Sequence, residues 1–307
     1  MEKKYQYAFI RGKVCKMSEA VVPVQCKAIQ YGLGIFTGIR GHYNASRKNL
    51  YLFRLKDHFK RLQESAKITG MKFNFSWEKF EKTIIELVKK NKAREDMYLR
   101  VTLYASSTKL TPRFDNEDDD LAIYMISLKD YFHTTGGLNV CVSSWRRVDD
   151  DVISTKAKIT GAYANSALAK TEAVSNGYDE AIFLNRDGKV CEASGANIFG
   201  VKNGVVYTPP LSANNLGGIT RRSIIEIIEN DMGMKIKEEE IDRSTLYVFD
   251  ELFFTGTAAK ITQIKSVDKR IVSDGKMGKT TKLLIDKFNQ INIGENPKYF
   301  HWLTPVY

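Results

Sequence analysis

The chain has 307 residues, with 47 Lys and Arg against 36 Asp and Glu and a formal charge of +11. At 43% hydrophobic and 27% charged, with 21 Gly and 6 Pro, its composition is that of one large or two ordinary folded domains, which excludes disorder, a coiled coil and a collagen-like rod. The positive charge is dispersed and broken by acidic runs at 115–120 and 149–151, so a solvated lysine-rich surface is expected and a nucleic-acid partner is not.

The strand signals in the first half, β-branched and aromatic residues bounded by turn formers, fall at 7–14, 38–43, 49–53, 97–104 and 121–128. Between them, residues 54–69 carry Leu55, Phe59, Leu62 and Ala66, and residues 77–91 carry Phe80, Ile84, Ile85 and Val88. Both sets have the spacing of one buried helix face. The run 129–137 follows a strand and ends in Gly136-Gly137, so it reads as the linker between a smaller α+β domain at 1–128 and a larger one at 138–307. In the second domain, strands are expected at 138–145, 180–185, 190–199, 205–208 and 246–254. The turn pairs Asp187-Gly188 and Asn203-Gly204 lie among them, and helices are expected at 162–175, 220–230 and 279–289.

The apolar stretch 121–128 is far shorter than the roughly 20 residues of a membrane span, so no membrane association is expected. Met1-Glu2-Lys3-Lys4-Tyr5 lacks the apolar core of a secretion signal, which implies a cytoplasmic location. Cys15, Cys26, Cys141 and Cys191 are scattered, without metal-ligand spacing, and read as reduced structural thiols; no metal site is expected. His42, His58, His133 and His301 sit in no nucleophile or metal motif and also read as structural.

Gly32, Gly34 and Gly38 do not form a dinucleotide loop, because their spacing is wrong and a strand follows them; they read as points of close backbone approach. The segment 215–221, Asn-Leu-Gly-Gly-Ile-Thr-Arg, leads into a helix with Thr220 as the expected N-cap. This suits a phosphate, although ordinary helices begin the same way. The small residues and hydroxyls of 254–259 could also hold an anion or form a plain tight turn. By itself Lys158 is indistinguishable from other lysines, and alternation within its strand makes Glu192 a solvated carboxylate.

Taken together, these segments resemble the fold-type IV pyridoxal-phosphate enzymes, whose two-domain α+β fold is that of D-amino acid aminotransferase. Among them the chain is most similar to the branched-chain amino acid aminotransferases. The similarity runs over essentially the whole chain, through Tyr31-Gly32, 36–40, 98–100, 143–145, 155–163, 192–199, 218–221 and 255–259 in that order.

The resemblance implies that Lys158 is the Schiff-base lysine, with Lys156 as its competitor. Such an amine must be neutral to react, so its pKa must fall well below the ~10.4 of a free lysine. It implies that Glu192 pairs with the cofactor ring nitrogen, Tyr163 with its phenolic oxygen and Arg61 with its phosphate. Ile219, Thr220 and Thr257 supply further phosphate donors, and Leu216 packs on the ring.

On the substrate side, Tyr98 and the N–H groups of Ala258 and Ala259 correspond to α-carboxylate binders, while Phe36 and Gly38 line an apolar pocket. Tyr31 reaches that pocket or the one of a partner subunit, as in a homodimer. Arg100 corresponds to the ligand of the distal carboxylate of glutamate or 2-oxoglutarate, with Arg40 as a secondary candidate. The implied activity is ping-pong transamination between a branched-chain L-amino acid and 2-oxoglutarate. D-amino acid aminotransferase, (R)-amine transaminase and aminodeoxychorismate lyase are the alternatives within the fold, and a basic non-catalytic binding protein is the alternative outside it.

The chain departs from the family at Thr37, Ala196 and Lys260, where Glu is common, and at 107–114, where the family has a glycine-rich loop. These changes bear on donor range. Arg113 in that loop reads as a solvated side chain or as an additional carboxylate ligand.

Overall fold

The computed structural model describes residues 5–114, 118–132 and 136–307. His133, the middle of the expected linker, the start of the acidic run at 115–120 and the first four residues lie outside them. By internal contacts the chain forms two units. One comprises Met1–Lys129, Ala157–Gly161 and Asn289–Tyr307; the other comprises Asp130–Lys156 and Ala162–Phe288. Two segments that the sequence assigns to the second half thus belong to the first unit. The reason is pairing: Leu303–Pro305 adds antiparallel to strand Asn49–Phe53, and Ile159 bridges Ile35.

Among the described residues the first unit has strands β1 (Tyr7–Ile10), β2 (Lys13–Lys16), β3 (Gly34–Asn44), β4 (Asn49–Phe53), β5 (Met97–Ala105) and β6 (Asp119–Ser127). With the terminal strand Leu303–Pro305 they form one sheet in the order terminal strand, β4, β3, β5, β6, β1, β2. Residues 7–14 read as one strand, but Arg11 and Gly12 both take positive φ, 52° and 72°, so the chain turns there into a hairpin. Helices α1 (Lys27–Tyr31), α2 (Leu55–Thr69) and α3 (Trp77–Lys90) complete the unit.

The Ser76 hydroxyl caps α3 by accepting from the Lys79 N–H at 3.2 Å, and Lys89 and Lys90 sit at its C-terminal end, where the dipole favours them. Its Phe80, Ile84 and Val88 are fully buried, as the spacing predicts, while Ile85 is half-buried and Leu87 takes the remaining core position. Phe59 of α2 fills the space between the rings of Phe73, Trp77 and Phe80, with centroids 5.1 to 5.6 Å away.

The second unit is built on β7 (Leu138–Arg146), β8 (Glu180–Leu184), β9 (Val190–Ala193), β10 (Asn197–Lys202), β11 (Val205–Thr208), β12 (Ile236–Glu238), β13 (Glu251–Gly256), β14 (Lys260–Val267) and β15 (Arg270–Ile271). The sheet order is β12, β11, β10, β13, β14, β7, β8, β9, with β15 on β14. Its helices are α4 (Tyr163–Ser175), α5 (Ile219–Ile227) and most of α6 (Lys279–Asn292).

Residues 190–199 read as one strand but are two, because 194–196 turn the chain from β9 into β10. The expected strand at 246–254 begins only at Glu251, after a short 3-10 turn at Arg243–Tyr247. The N-cap of α5 is Gly218, not Thr220, which lies inside the first turn.

All four cysteines are free; burial pushes the Cys141 thiol up to about 11 and the Cys191 thiol well above its ordinary value. No helix among the described residues is long and apolar enough to cross a membrane, and no group of them could hold a metal ion.

Asp268 joins three elements of this unit. Its carboxylate accepts from the Val142 N–H at 2.9 Å, the Tyr247 hydroxyl at 2.7 Å and Arg243 Nη2 at 3.0 Å. Burial by itself raises its pKa, but these donors together outweigh burial and hold it below the usual carboxylate range. A depressed folded pKa means stability that is present above the unfolded value of ~3.9 and is lost as pH falls through the folded value. Asp268→Asn is therefore expected to cost about 1–2 kcal/mol at pH 7. In paired denaturant melts that deficit should begin to shrink below about pH 4, where the carboxylate of the unfolded wild-type chain takes up its proton, and go on shrinking as pH falls through the lower folded value.

Candidate active site

In the first unit the segment Ala157–Gly161 lies along β3. The Phe36 N–H donates to the Lys158 carbonyl at 2.9 Å, the Thr160 N–H donates to the Gly34 carbonyl at 2.8 Å, and the Ser65 hydroxyl accepts from the Lys158 N–H at 3.2 Å. This backbone can approach so closely because Gly32 and Gly161 face each other: a Cβ on Gly161 would sit 3.2 Å from the Gly32 carbonyl oxygen. The close approach expected of the glycine-rich segment is therefore present.

The half-buried Lys158 directs its amine to 4.9 Å from the centre of the Phe36 ring. The Arg100 guanidinium lies 4.2 Å from the same ring centre and 5.5 Å from that of Tyr98. Arg100 Nε is buried and has no hydrogen-bond partner among the described residues. Tyr98 leans over Gly38 so tightly that a Cβ there would fall 1.9 Å from its hydroxyl oxygen, so only glycine leaves that ring in place.

The geometry separates the two candidate lysines. Lys156 is exposed, belongs to the second unit and donates its amine to the Leu211 carbonyl.

Arg40, the secondary candidate, is fully buried, and its Nη2 donates to the Leu128 carbonyl at 2.6 Å and to the Lys129 carbonyl just beyond β6. Arg113 is exposed, and its carbonyl accepts from the amine of the buried Lys27 at 3.1 Å. Tyr31 is half-buried at the end of α1. On α2, Arg61 Nη2 donates to the Thr37 hydroxyl at 3.0 Å, and the same oxygen lies 2.8 Å from His58 Nδ1.

In the second unit Glu192 is 6% exposed, which corrects its reading as a solvated strand carboxylate. Every residue of β9 is buried, so alternation does not apply there. Oε1 of Glu192 lies 3.1 Å from Arg147 Nε. Oε2 accepts from Asn197 Nδ2 at 3.3 Å and from the Leu216 N–H at 3.2 Å. Asn197 also donates to the Leu216 carbonyl at 3.0 Å, and Gly218 leaves room for it, since a Cβ there would lie 2.1 Å from Asn197 Oδ1.

The preceding loop is tied down as well. Arg221 Nη2 donates to the Pro209 carbonyl at 2.9 Å, and Asn215 Nδ2 donates to the Pro210 carbonyl at 3.1 Å. Leu216, Ile219 and Thr220 are thus held on a fixed frame at the start of α5, whose first-turn N–H groups have no acceptor within the helix. Thr257, Ala258 and Ala259 form the turn that joins β13 to β14, closed by the Gly256–Lys260 pair. Tyr163 opens α4.

Sequence reading did not single out Arg147, Asn197 or Gly218. Arg147 follows a strand like any surface arginine, and only the fold brings it to Glu192. Asn197 and Gly218 sit inside quoted blocks, but no spacing marks them.

The first unit therefore offers an amine beside an aromatic ring, and the second unit offers a buried carboxylate paired with an arginine and the N–H donors at the start of α5. The chain belongs to the class IV aminotransferases: the family model "Amino-transferase class IV" matches residues 34–267. A protein of Aquifex aeolicus (strain VF5) named "Probable branched-chain-amino-acid aminotransferase" is 40% identical over 301 residues, covering 98% of this chain and 97% of that protein. The "Branched-chain-amino-acid aminotransferase" of Escherichia coli (strain K12) is 33% identical, over 99% of this chain and 98% of that one.

Among solved structures, the branched-chain aminotransferase from Thermoproteus uzoniensis with norvaline superposes with a TM-score of 0.94 at 41% identity, covering 98% of this chain and 99% of that chain. The branched-chain amino acid aminotransferase from Thermobaculum terrenum in its PLP-form does so with a TM-score of 0.94 at 32% identity, covering 99% of each chain.

Proposed function

We propose that this protein is a pyridoxal-phosphate-dependent branched-chain-amino-acid aminotransferase that passes the amino group of a branched-chain L-amino acid to 2-oxoglutarate. The observation that carries the reading is Glu192, an ionisable side chain buried on β9, with Oε1 ion-paired to Arg147 and Oε2 accepting from Asn197 and the Leu216 N–H. Burying a charge is costly unless it has a task or a partner, and a cationic ring nitrogen is the natural complement of this one.

The other residues fit the same cofactor. Lys158 offers an amine beside an aromatic ring, Arg61 offers an oriented guanidinium for a phosphate, and Arg100 has a buried Nε with no partner among the described residues. When bound, the cofactor supplies an aldehyde for amines and a cationic ring that draws electron density from the substrate Cα. Glu192 keeps the ring-nitrogen proton in place, and Tyr163 holds the phenolic oxygen. Arg61 binds the phosphate with Ile219, Thr220 and Thr257, and Leu216 packs on the ring face.

Lys158 Nζ takes the proton from the substrate Cα and returns it on the other side of the exchange, so one side chain serves both transfers. Tyr98 and the N–H groups of Ala258 and Ala259 bind the α-carboxylate. Phe36, Gly38 and Tyr31 enclose the apolar side chain, and Arg100 takes the second carboxylate of the acidic substrate. The working form is a homodimer in the cytoplasm.

The test is a half-reaction. L-Leucine added to the holoprotein without an acceptor is expected to replace the long-wavelength cofactor band by a shorter-wavelength one, and 2-oxoglutarate should restore it. Bleaching by D-alanine and not by L-leucine would overturn the substrate assignment.

A further inference from the structure

We propose that Thr37 and His58 are positioning residues for the cofactor phosphate and act through Arg61; the inference rests on the reading of Arg61 as the phosphate ligand.

Thr37 on β3 and His58 on α2 are both fully buried, and the Thr37 hydroxyl lies 3.0 Å from Arg61 Nη2 and 2.8 Å from His58 Nδ1. His58 and Arg61 are three residues apart on α2 and so share the helix face that meets β3. A hydroxyl has a single proton to give. Its two lone pairs let the oxygen accept from Arg61 and still meet Nδ1, so one hydroxyl ties the guanidinium to the imidazole. His58 is itself fully buried, so its ring is a fixed partner for the hydroxyl.

Arg61 has many rotamers, and a ligand that must meet a phosphate gains from having most of them removed beforehand. Thr37 does this with a neutral group. A carboxylate in its place would orient the guanidinium equally well but would offset the charge that the phosphate is to meet. The pair therefore holds Arg61 through a contact that is itself neutral.

The experiment compares binding of pyridoxal phosphate and of pyridoxal, which lacks the phosphate, to apoprotein of wild type, Thr37→Val, Thr37→Ser and Arg61→Ala, read by tryptophan fluorescence. Thr37→Val is expected to weaken pyridoxal phosphate about tenfold and Arg61→Ala about a hundredfold. Pyridoxal should stay within about twofold of wild type in both, and Thr37→Ser should retain wild-type affinity. Adding Thr37→Val to Arg61→Ala should weaken binding no further.

If Thr37→Val fails to fold, as thermal melting of the apoprotein will reveal, Thr37→Ala removes the same hydroxyl and is judged by the same criterion. Equal weakening of both ligands, or none, in the Thr37 variant while Arg61→Ala discriminates overturns this inference alone. Failure of Arg61→Ala to discriminate overturns the phosphate reading beneath it as well.

Discussion

Lys158→Ala is expected to reduce turnover of L-leucine with 2-oxoglutarate by about 10⁴-fold or more, because it removes the nucleophile and the proton carrier together. No neighbour can substitute. Lys156 is two residues away, but its amine is committed to the Leu211 carbonyl and it belongs to the other unit. Lys156→Ala is accordingly expected to stay within about threefold of wild type, since losing an exposed charge removes no group the chemistry uses. Steady-state turnover of the two variants, measured side by side, decides the matter: activity within tenfold of wild type in Lys158→Ala would refute the assignment.

Glu192→Gln should have the next largest effect. The amide keeps the shape of the side chain but removes the negative charge, so kcat is expected to fall about 10²- to 10³-fold with little change in KM. The same change leaves the Arg147 guanidinium buried without its counter-ion, at a cost of about 3 kcal/mol in stability.

The two effects can be separated. Adding Arg147→Met removes the stranded cation, so the double variant is expected to recover much of the stability and none of the turnover. Denaturant melts and kcat measured on the two variants and wild type provide the check. Recovery of turnover along with stability would mean that Glu192 matters only for folding.

Helices α2 and α3 were legible because each buries one face against the sheet of its own unit, and a one-sided burial writes its period into the sequence. Leu55, Phe59, Leu62 and Ala66 are all buried, as are Phe80, Ile84 and Val88; Ile85, expected on the same face, is half-buried at its edge. Strand β9 was not legible in the same way. With all of its residues buried, Glu192 has the same kind of neighbours as Cys191 and Ala193, and alternation misplaces it at the surface.

The resemblance named Lys158, Glu192 and Arg100, which lie in its ordered blocks, and Arg61, which lies in the separate string 58–62. It did not name Arg147, Asn197 or His58, whose importance lies in what they touch. Nor did the sequence show that Arg40 Nη2 donates to the carbonyls of Leu128 and Lys129, a contact between segments almost ninety residues apart.

From the residues alone came the α+β class, the paths of the main helices and strands, and through the motif order the family and its cofactor. Local periodicity and short strings suffice for these, because they depend on neighbours along the chain. Only the tertiary structure decided that Ala157–Gly161 joins the first unit along β3, that Arg147 and Asn197 meet Glu192, and that Thr37 and His58 hold Arg61. Those are contacts between segments far apart in sequence, and hydrogen-bond geometry across such distances leaves no period in the chain from which it could be read.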